Sequence, residues 1–480
     1  MKRALLTLSM FLIGILGTQA QSVSTWAGNP SGSAPNGSDK LSTKFSNPWG
    51  IAKDSKGNYW VTCDDSTGRI LMITSGGKVY SRAGNPTSPI TGFQDGAATS
   101  AEMNYSNGIA IEKDTIFFCD YGNNAVRKLS PYVSIGSSQK VTTIAGGGGN
   151  LGSTRGISDT TDGQGYGSKG AYFNGPTGLV INPYTHDIII VDQSNSCIRG
   201  IKRTGKAYGT SYLLAGRKLG SLHKDGPPTN GAQFSLPTGI YIDSATGDLY
   251  VTEQSQQIRK IPFNSTTKKY DKNVTTVDVG AKTSPSTFFF GSVDGVVKAG
   301  SGTYASYYFA NESNIFKNDL SGSGTTVLTA GSDVIDASTG SLKAGFKDGP
   351  GSIALFDNIF CLFYNGSNII LAADHNNNRI RSIDLTGTFT GVEEPKAPAN
   401  GEGFKVYPNP AQDFVTIENF DISGTTTNIG LYDMTGKLVY FAINDFNGRF
   451  NIPLTKLPRG IYILKVQSDK ANLTSKVIVK

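Results

Sequence analysis

The sequence has little charge and few residues of the kinds that form covalent or metal links. Asp, Glu, Lys and Arg supply 17% of the 480 residues, where about 25% is usual, which excludes a coiled coil or long-helix protein. There are only three histidines and four cysteines, without C-x-x-C or Cys/His metal spacing, so no metal site or cofactor is expected. An aromatic content of 10% excludes a charge-solvated disordered chain. Glycine is abundant instead, with 59 residues, which is typical of many short strands joined by tight turns.

Long apolar runs are also scarce, and the one that exists stands at the N-terminus. Lys2 and Arg3 precede an apolar stretch over residues 5–16, and small residues end it at Ala20. This pattern predicts a secretory signal peptide over residues 1–20. No later stretch is long enough for a transmembrane segment. The net charge of +7 is not concentrated in any basic block, so nucleic acid is not expected as a partner.

A repeat dominates most of the remaining chain. Each unit has a large apolar residue, a glycine five positions later in all but the last unit, and short alternating strands separated by Gly, Asn and Asp turns. The six anchor pairs are Phe45/Gly50, Met103/Gly108, Phe173/Gly178, Phe234/Gly239, Phe290/Gly295 and Phe356/Cys361. Four short strands per unit, repeated six times, predict an all-β fold with a six-bladed β-propeller over residues 21–390. The strand near Val23 is expected to complete the last blade and seal the ring.

Several units carry the pattern P-x-G-[IL], and the last contains D-x-x-x-N-R-I. The matching residues are Pro48, Gly50, Ile51 and Ala52, then Pro176, Gly178 and Leu179, then Pro237, Gly239 and Ile240, and finally Asp374, Asn378, Arg379 and Ile380. These residues resemble the NHL repeat family, which implies an NHL-type propeller. The fifth unit departs most from the pattern, with Val293 in place of the proline.

The chain changes character after the last repeat. Residues 391–403 are rich in Glu, Pro, Ala and Gly and predict a linker. Alternating apolar runs then predict a small β-sandwich over residues 404–480. Its marker residues are Tyr407, Pro408, Asn409 and Pro410, then Asp433 and Gly436, then Gly460 and Tyr462, and the terminal Lys480.

In this order, these motifs resemble the C-terminal sorting domain of the type IX secretion pathway. The resemblance implies a Bacteroidota-type bacterium, Sec export, recognition by the type IX machinery and transfer across the outer membrane. It implies that the protein is either released or held at the outer cell surface. It says nothing about what the exported domain does.

Candidate ligand-binding residues were sought where single blades depart from the repeat. In a propeller, the first strands of all blades begin, and the second strands end, on one face, which we call the mouth. Residues there that differ between blades are Trp49, Asn107, Tyr121, Asp294, Phe360 and His375. An aromatic and polar rim suits a protein or carbohydrate ligand, although ordinary rim packing would also place aromatic residues there. The protein is therefore expected to be a secreted binding or scaffold protein.

A second interpretation is a propeller lyase or a gluconolactonase-type hydrolase acting at the same mouth. Resemblance to such enzymes would imply inward carboxylates and amides that hold a metal ion, and only Asp294 and Asn107 lie near enough. No catalytic constellation stands out, so an enzyme is the less favoured interpretation.

Other recurring residues are expected to be architectural. The acids near the end of each second strand, and the Asp-Gly pairs, are expected to form turns. Cys63 and Cys119 are expected to be equivalent buried residues. Positions two after each repeat glycine are expected to face the channel. The acids are Asp64, Asp120, Asp192, Glu253 and Asp374, and the Asp-Gly pairs begin at Asp95, Asp162, Asp225 and Asp348. The expected channel residues are Ala52, Ala110, Val180, Tyr241, Val297 and Phe363.

The sorting assignment predicts that a chain lacking residues 404–480 accumulates in the periplasm. The type IX machinery would have no signal to recognise, whereas the N-terminal signal would still direct passage across the inner membrane. Cell fractionation with immunoblotting measures the outcome. Normal surface display of the truncated chain would show that the assignment is wrong.

Overall fold

The protein was analysed as a computed structural model. It describes residues 22–65, 68–84, 91–113, 115–131, 139–147, 172–204, 209–216, 222–254, 257–277, 293–300, 306–320, 326–332, 343–386, 405–418, 425–433, 438–455, 457–467 and 472–480. The chain forms two compact units, with the boundary after Thr386. The predicted signal peptide and linker fall outside the described residues and stay predictions.

The first unit consists of six antiparallel sheets of four or five strands. From the innermost strand outward, blade 1 is Pro48–Lys53, Tyr59–Cys63, Ile70–Ile73 and Lys78–Ala83, extended by Asn36–Asp39. Blade 2 is Ser106–Glu112, Thr115–Asp120, Ala125–Ser130 and Lys140–Gly146, extended by Gly96–Ala97. Blade 3 is Pro176–Ile181, Ile188–Asp192, Cys197–Ile201 and Ser211–Gly216.

The second half of the ring repeats the same order. Blade 4 is Pro237–Ile242, Leu249–Glu253, Ile258–Ile261 and Thr275–Val277. Blade 5 is Val293–Ala299, Ser306–Asn311, Asn314–Asn318 and Val327–Ala330. Blade 6 is Ile359–Gly366, Ile369–Asp374, Arg379–Asp384 and the N-terminal strand Ser22–Ala27, extended by Gly349–Pro350. Short 3-10 turns lie at Ala98–Ser100, Tyr121–Asn123, Gln193–Asn195 and Gly351–Ile353.

The ring closes because its first and last segments share one sheet. Ser22–Ala27 pairs antiparallel with Arg379–Asp384, with Val23 opposite Ile383, as the sequence predicts. The innermost strand of each blade contacts that of the next, and blade 6 contacts blade 1. The six-bladed propeller is therefore confirmed. Apolar clusters fill the spaces between neighbouring blades, such as the one that joins Ile51 and Val61 of blade 1 to Leu371 of blade 6.

A buried arginine ties the layers of most blades together. In blade 2, Arg127 on the third strand is 2.8 Å from Asp120, which ends the second strand. It also lies 2.8 Å from Asp95 of the Asp-Gly turn, and Asp95 accepts hydrogen bonds from the backbone and hydroxyl of Thr143 on the fourth strand. We call this set the arginine clamp. Three strands and a turn are thereby linked through one side chain that is fully buried.

The clamp recurs in other blades. Its acid–arginine pairs are Glu253–Arg259 at 3.2 Å, Asp374–Arg381 at 2.7 Å and Asp192–Arg199 at 3.5 Å. In blade 6, Asp348 bonds both Arg381 and Thr25 of the N-terminal strand, so this clamp also fastens the ring closure. The sequence-based assignment of these acids to turns was incomplete: each also accepts a loop N–H, but a buried carboxylate needs the cation as well. Asp162 of blade 3 lies outside the described residues.

Blade 1 lacks the clamp, which corrects two sequence assignments. Its strand register pairs Pro48 with Cys63, whereas blade 3 pairs Pro176 with Asp192. Cys63 therefore occupies the position of the recurring acid, and Asp64 lies one residue beyond it. Cys63 and Cys119 are therefore not equivalent. Cys119 pairs with Val126 as Thr62 pairs with Ile70, so Thr62 is the residue of blade 1 that corresponds to Cys119.

The arginine position of blade 1 changes together with the acid position. Leu71 stands where other blades have arginine, because Val61 pairs with it as Phe118 pairs with Arg127. Cys63 is fully buried, and burial raises the pKa of its thiol to about 12. A thiol that stays neutral needs no cation, so an apolar residue fits the partner position.

The second unit is a β-sandwich. One sheet contains Lys405–Tyr407, Phe414–Glu418 and Arg449–Pro453, and the other contains Leu438–Phe446, Thr425–Asp433, Gly460–Gln467 and Asn472–Val479. Their inward residues, such as Ile417, Ile452, Leu431 and Leu464, form one buried core. Within the ranges that the structure describes, no helix has the length and apolar character needed to cross a bilayer.

The clamp predicts a specific pattern of stability losses. Replacing Arg127 by Leu should lower the free energy of unfolding by about 3–5 kcal/mol, because the Asp120 carboxylate stays buried without its cation. The double variant Asp120→Cys with Arg127→Leu, which copies Cys63 and Leu71 of blade 1, should lose less than the single variant. Guanidinium unfolding measures both. A double variant that is less stable than Arg127→Leu would contradict this account.

Candidate functional site

The mouth brings together two sets of residues from the hairpin that the first and second strands of a blade form. One set lies where the first strand begins, and the other lies where the second strand ends. The first set precedes the repeat glycine, and the second set directly follows the second strand. The antiparallel register of each blade places both sets at the same end. The described members of the second set are Asp64, Tyr121, Gln193, Gln254, Glu312 and His375. All six are polar or titratable, although sequence reasoning identified only Tyr121 and His375 among them as mouth residues.

Three predicted residues from blades 1 and 6 form an aromatic cluster. Trp49 and Phe360 stack with ring centroids 3.7 Å apart and planes 10° apart. The His375 ring meets Phe360 edge-on at 4.8 Å and Trp49 edge-on at 5.9 Å. Trp49 and Phe360 stay partly exposed, whereas His375 is buried. The cluster exists because ring closure places blade 6 beside blade 1.

Asp64 connects this cluster to blade 2. Its carboxylate lies 3.3 Å from His375 Nε2. The Asn107 amide, oriented with its nitrogen toward Asp64, donates to Asp64 Oδ1 at 2.7 Å and to the Tyr105 carbonyl at 3.2 Å. The Asp64 side chain retains 17% exposure, so it can still be reached from solvent. Sequence reasoning missed this role because it counted Asp64 among the architectural acids.

The electrostatics of the mouth centre on the same carboxylate. Burial raises the pKa of Asp64 above its usual value, while the hydrogen bond and charge of His375 act in the opposite direction. Burial also raises the pKa of Tyr121, and the nearby Asp64 charge adds to that increase. The arrangement therefore offers a carboxylate acceptor, a phenol and two partly exposed aromatic rings within one area that spans blades 6, 1 and 2.

The remaining predicted mouth residue, Asp294, stays a prediction. Asp294 lies in the first strand of blade 5, and its side chain lies outside the described part of the chain.

A cavity of about 340 Å³ lies at the propeller axis. The residue directly after each repeat position lines it, namely Ile51, Ile109, Leu179, Ile240, Val296 and Leu362. Of the predicted channel residues, Val180, Tyr241, Val297 and Phe363 line it, but Ala52 and Ala110 do not. Residues from both faces of each innermost strand line the cavity, because the strand turns its edge toward the propeller axis. Lys298 is the only charged residue among the described lining.

The histidines are dispersed over the propeller. His186 contacts Glu112 at 2.7 Å, and His223 contacts Glu253 at 2.8 Å and Thr276 at 2.7 Å. Neither is near His375. Among the described residues, no group of three His, Cys, Asp or Glu side chains could hold a metal ion.

The marker residues of the tail join its two ends. The Asn409 side chain donates to the Lys476 carbonyl and accepts from the Ile478 N–H at 2.9 Å. The Tyr407 hydroxyl donates to Glu418 at 2.6 Å, and the Tyr462 hydroxyl donates to the Pro458 carbonyl at 2.6 Å. The Asn409 contacts fasten the tail's first segment to its last strand, whereas the two tyrosine contacts are local. Gly436 lies outside the described residues.

Comparison with known proteins assigns the tail. Residues 405–480 match the family described as the secretion system C-terminal sorting domain. This family is the one that the tail motifs predict, and it covers the β-sandwich alone.

The propeller is similar to NHL repeat proteins. The chain is 24% identical over 372 residues to human NHL repeat-containing protein 2, a match that covers 72% of this chain and 47% of that protein. It is 32% identical over 99 residues to the chicken protein, covering 21% of this chain and 12% of the relative. The chain thus spans less than half the length of either relative.

A solved structure shares the fold. A protein from Bacteroides thetaiotaomicron, named as a candidate phosphatase, superposes with a TM-score of 0.50 at 13% identity, covering 76% of this chain and 78% of that one. At this identity the similarity concerns the fold alone.

The Asp64–His375 contact makes a pH prediction. Replacing His375 by Phe keeps an aromatic ring but removes the donor and charge that lower the Asp64 pKa, so the Asp64 carboxyl should stay protonated to a higher pH. A carbon-13 NMR titration of Asp carboxyls, assigned with Asp64→Asn, measures this. His186→Phe is the control and should leave Asp64 unchanged. An unchanged or lower Asp64 pKa in the His375 variant would show that the contact does not control the carboxyl.

Proposed function

Because the chain is an NHL-type β-propeller followed by a type IX C-terminal sorting domain, we propose that it is exported to the outer cell surface or the medium of a Bacteroidota-type bacterium and binds carbohydrate at the propeller mouth. The sorting domain indicates the route, through recognition by the type IX machinery. The ligand class is argued from the mouth.

The observation that carries the proposal is the position of Asp64 beside an aromatic cluster. Sugar rings present apolar C–H faces that pack on aromatic rings, and hydroxyls that donate to carboxylates. Trp49 and Phe360 offer the first surface, and the partly exposed Asp64 offers the second. Sites of this kind combine aromatic area with a few placed polar groups.

The local architecture supports a role beyond folding. The acids of the arginine clamps are fully buried and each is paired with arginine. Asp64 instead lies one position further toward the mouth, in a blade where Cys63 and Leu71 replace the clamp. Its contacts are to His375 and Asn107, and both of these come from neighbouring blades. A carboxylate held by two blades and still reachable from solvent is suited to a ligand.

One observation favours the hydrolase as a second candidate. An acid 3.3 Å from a histidine can orient that ring for general base catalysis. Asp64 is the carboxylate that pairs with His375, and among the described residues no group of three side chains could hold a metal ion beside them. A binding function therefore has more support than hydrolysis. A protein ligand is the other alternative. The experiment below distinguishes carbohydrate binding from hydrolysis.

The proposal predicts binding to oligosaccharides that depends on Asp64. The purified mature chain should bind members of an array of neutral and acidic glycans. Calorimetry with the strongest-binding oligosaccharide should show affinity at least tenfold weaker for Asp64→Asn, a loss of about 1.4 kcal/mol, because the amide replaces the anionic acceptor.

Glu312→Gln is the matched control. Glu312 occupies the same position in blade 5, and this variant also removes one negative charge at the mouth, so it should bind like the wild type. Equal losses in both variants would indicate a general charge effect and contradict the site. If the array gave no binding and the chain hydrolysed lactones or esters, the hydrolase interpretation would replace this one. If neither occurred, the carbohydrate proposal would be wrong.

A further inference from the structure

One backbone position at the mouth adopts the left-handed conformation in every blade where it is described. It lies three residues before the repeat glycine, or before Cys361 in blade 6. The φ angles are 48° at Asn47, 55° at Tyr105, 63° at Gly175, 45° at Leu236 and 59° at Asn358. The corresponding residue of blade 5 is outside the described ranges. The conformation is therefore a property of the blade and not of one residue type.

A shared hydrogen bond explains why the position is left-handed. In each of these five blades, its carbonyl accepts from the N–H of the mouth residue that follows the second strand. The donor–acceptor pairs are Asp64–Asn47 at 2.7 Å, Tyr121–Tyr105 at 2.9 Å, Gln193–Gly175 at 3.3 Å, Gln254–Leu236 at 3.2 Å and His375–Asn358 at 3.0 Å. The left-handed residue turns this carbonyl toward the second strand as the chain enters the first.

The residue types at this position differ in how well they tolerate that geometry. Gly adopts positive φ freely, and Asn does so more readily than other residues, whereas a large side chain is strained there. Asn47, Gly175 and Asn358 therefore suit their positions, and Tyr105 and Leu236 do not. Strained residues of this kind are found most often at functional sites.

Burial does not compensate for the strain at Tyr105. Its side chain is among the exposed large hydrophobic residues, with 40% of its surface accessible. Its backbone, by contrast, is held firmly: its N–H donates to the Asp65 carbonyl at 3.3 Å, and its carbonyl accepts from Tyr121 and from the Asn107 amide. A well-fixed backbone thus presents an exposed aromatic ring in the blade next to Asp64.

We propose that Tyr105 is a specificity-determining residue of the mouth, whose ring packs against a sugar unit of the carbohydrate that Asp64 binds. This inference rests on the proposed function. It extends the site from the Trp49–Phe360 pair through Asp64 into blade 2, so the ligand is an oligosaccharide that contacts blades 6, 1 and 2. Its stacking surface in blade 2 is retained at the expense of local backbone strain.

Leu236 provides the matched control for a substitution of Tyr105. Leu236 shares the left-handed conformation and has a similar exposure of 42%, but it belongs to blade 4, across the ring from blade 1. Replacing it relieves the same kind of strain away from Asp64. The two variants therefore separate the effect of strain relief from the effect on the ligand.

The experiment measures thermal stability and oligosaccharide affinity of the mature chain. Tyr105→Asn and Leu236→Asn should each raise the melting temperature by about 1–3 °C, since Asn tolerates positive φ. Calorimetry with the oligosaccharide selected on the array should show at least tenfold weaker binding for Tyr105→Asn and unchanged binding for Leu236→Asn. Tyr105→Phe retains the ring and should retain both the affinity and the melting temperature of the wild type.

Each other outcome has a definite meaning. Wild-type affinity in Tyr105→Asn, together with weakened binding by Asp64→Asn, would overturn the inference and leave the proposed function intact. A lower melting temperature for Tyr105→Asn would overturn the argument from strain, because it would show that the tyrosine stabilises the fold. Absence of oligosaccharide binding by the wild type would overturn the proposed function itself.

Discussion

The propeller depends on one interaction, the buried arginine clamp. A guanidinium at the third strand joins the acid that ends the second strand to the aspartate of the Asp-Gly turn, and this aspartate holds a threonine of the fourth strand. Because arginine carries five donors in a fixed planar arrangement, one side chain can satisfy several buried acceptors at once. In blade 6 the same device holds the N-terminal strand through Thr25, so it stabilises both the single blade and the closed ring.

Two blades lack the clamp pair, which shows that other residues can occupy its positions. Blade 1 replaces the pair by Cys63 and Leu71, and blade 5 has Asn311 and Phe316 at the corresponding positions. Both replacements are concerted, since a buried carboxylate without its cation would be costly. In blade 1 the nearest carboxylate, Asp64, lies beyond the strand end and faces the mouth. It is there that residues of three blades meet.

A second constraint shapes the mouth itself, namely the left-handed residue before the first strand in the five blades where that residue is described. Its carbonyl bonds the residue that follows the second strand, so the two sets of mouth residues are positioned by one turn. The repeat thus supplies a rigid frame with variable side chains at fixed positions. This division lets the side chains at the mouth differ from blade to blade while the sheets stay the same. At Tyr105 the left-handed backbone that the blade requires is strained by the large side chain.

Much of this protein could be predicted from sequence because the signals are local or periodic. The spacing of Phe45/Gly50 and its counterparts predicts the number of blades, since each unit must bury its faces against neighbours. The strand near Val23 predicts the closure, and the motifs from Tyr407 to Lys480 predict the sorting domain. Trp49, Phe360 and His375 could be assigned to one face because strand direction alone decides on which face a residue lies.

Strand register and the closure of the ring decided the rest. A one-residue difference in blade 1 exchanges the roles of Cys63 and Asp64, and only the pairing of Pro48 with Cys63 shows it. The contact between Asp64 and His375 joins residues 311 positions apart, because closure places the last blade beside the first. Such contacts have no signature in local sequence, since they arise from the geometry of the whole ring. Sequence alone therefore determined the architecture and the export signal, and tertiary structure decided which side chains form the site.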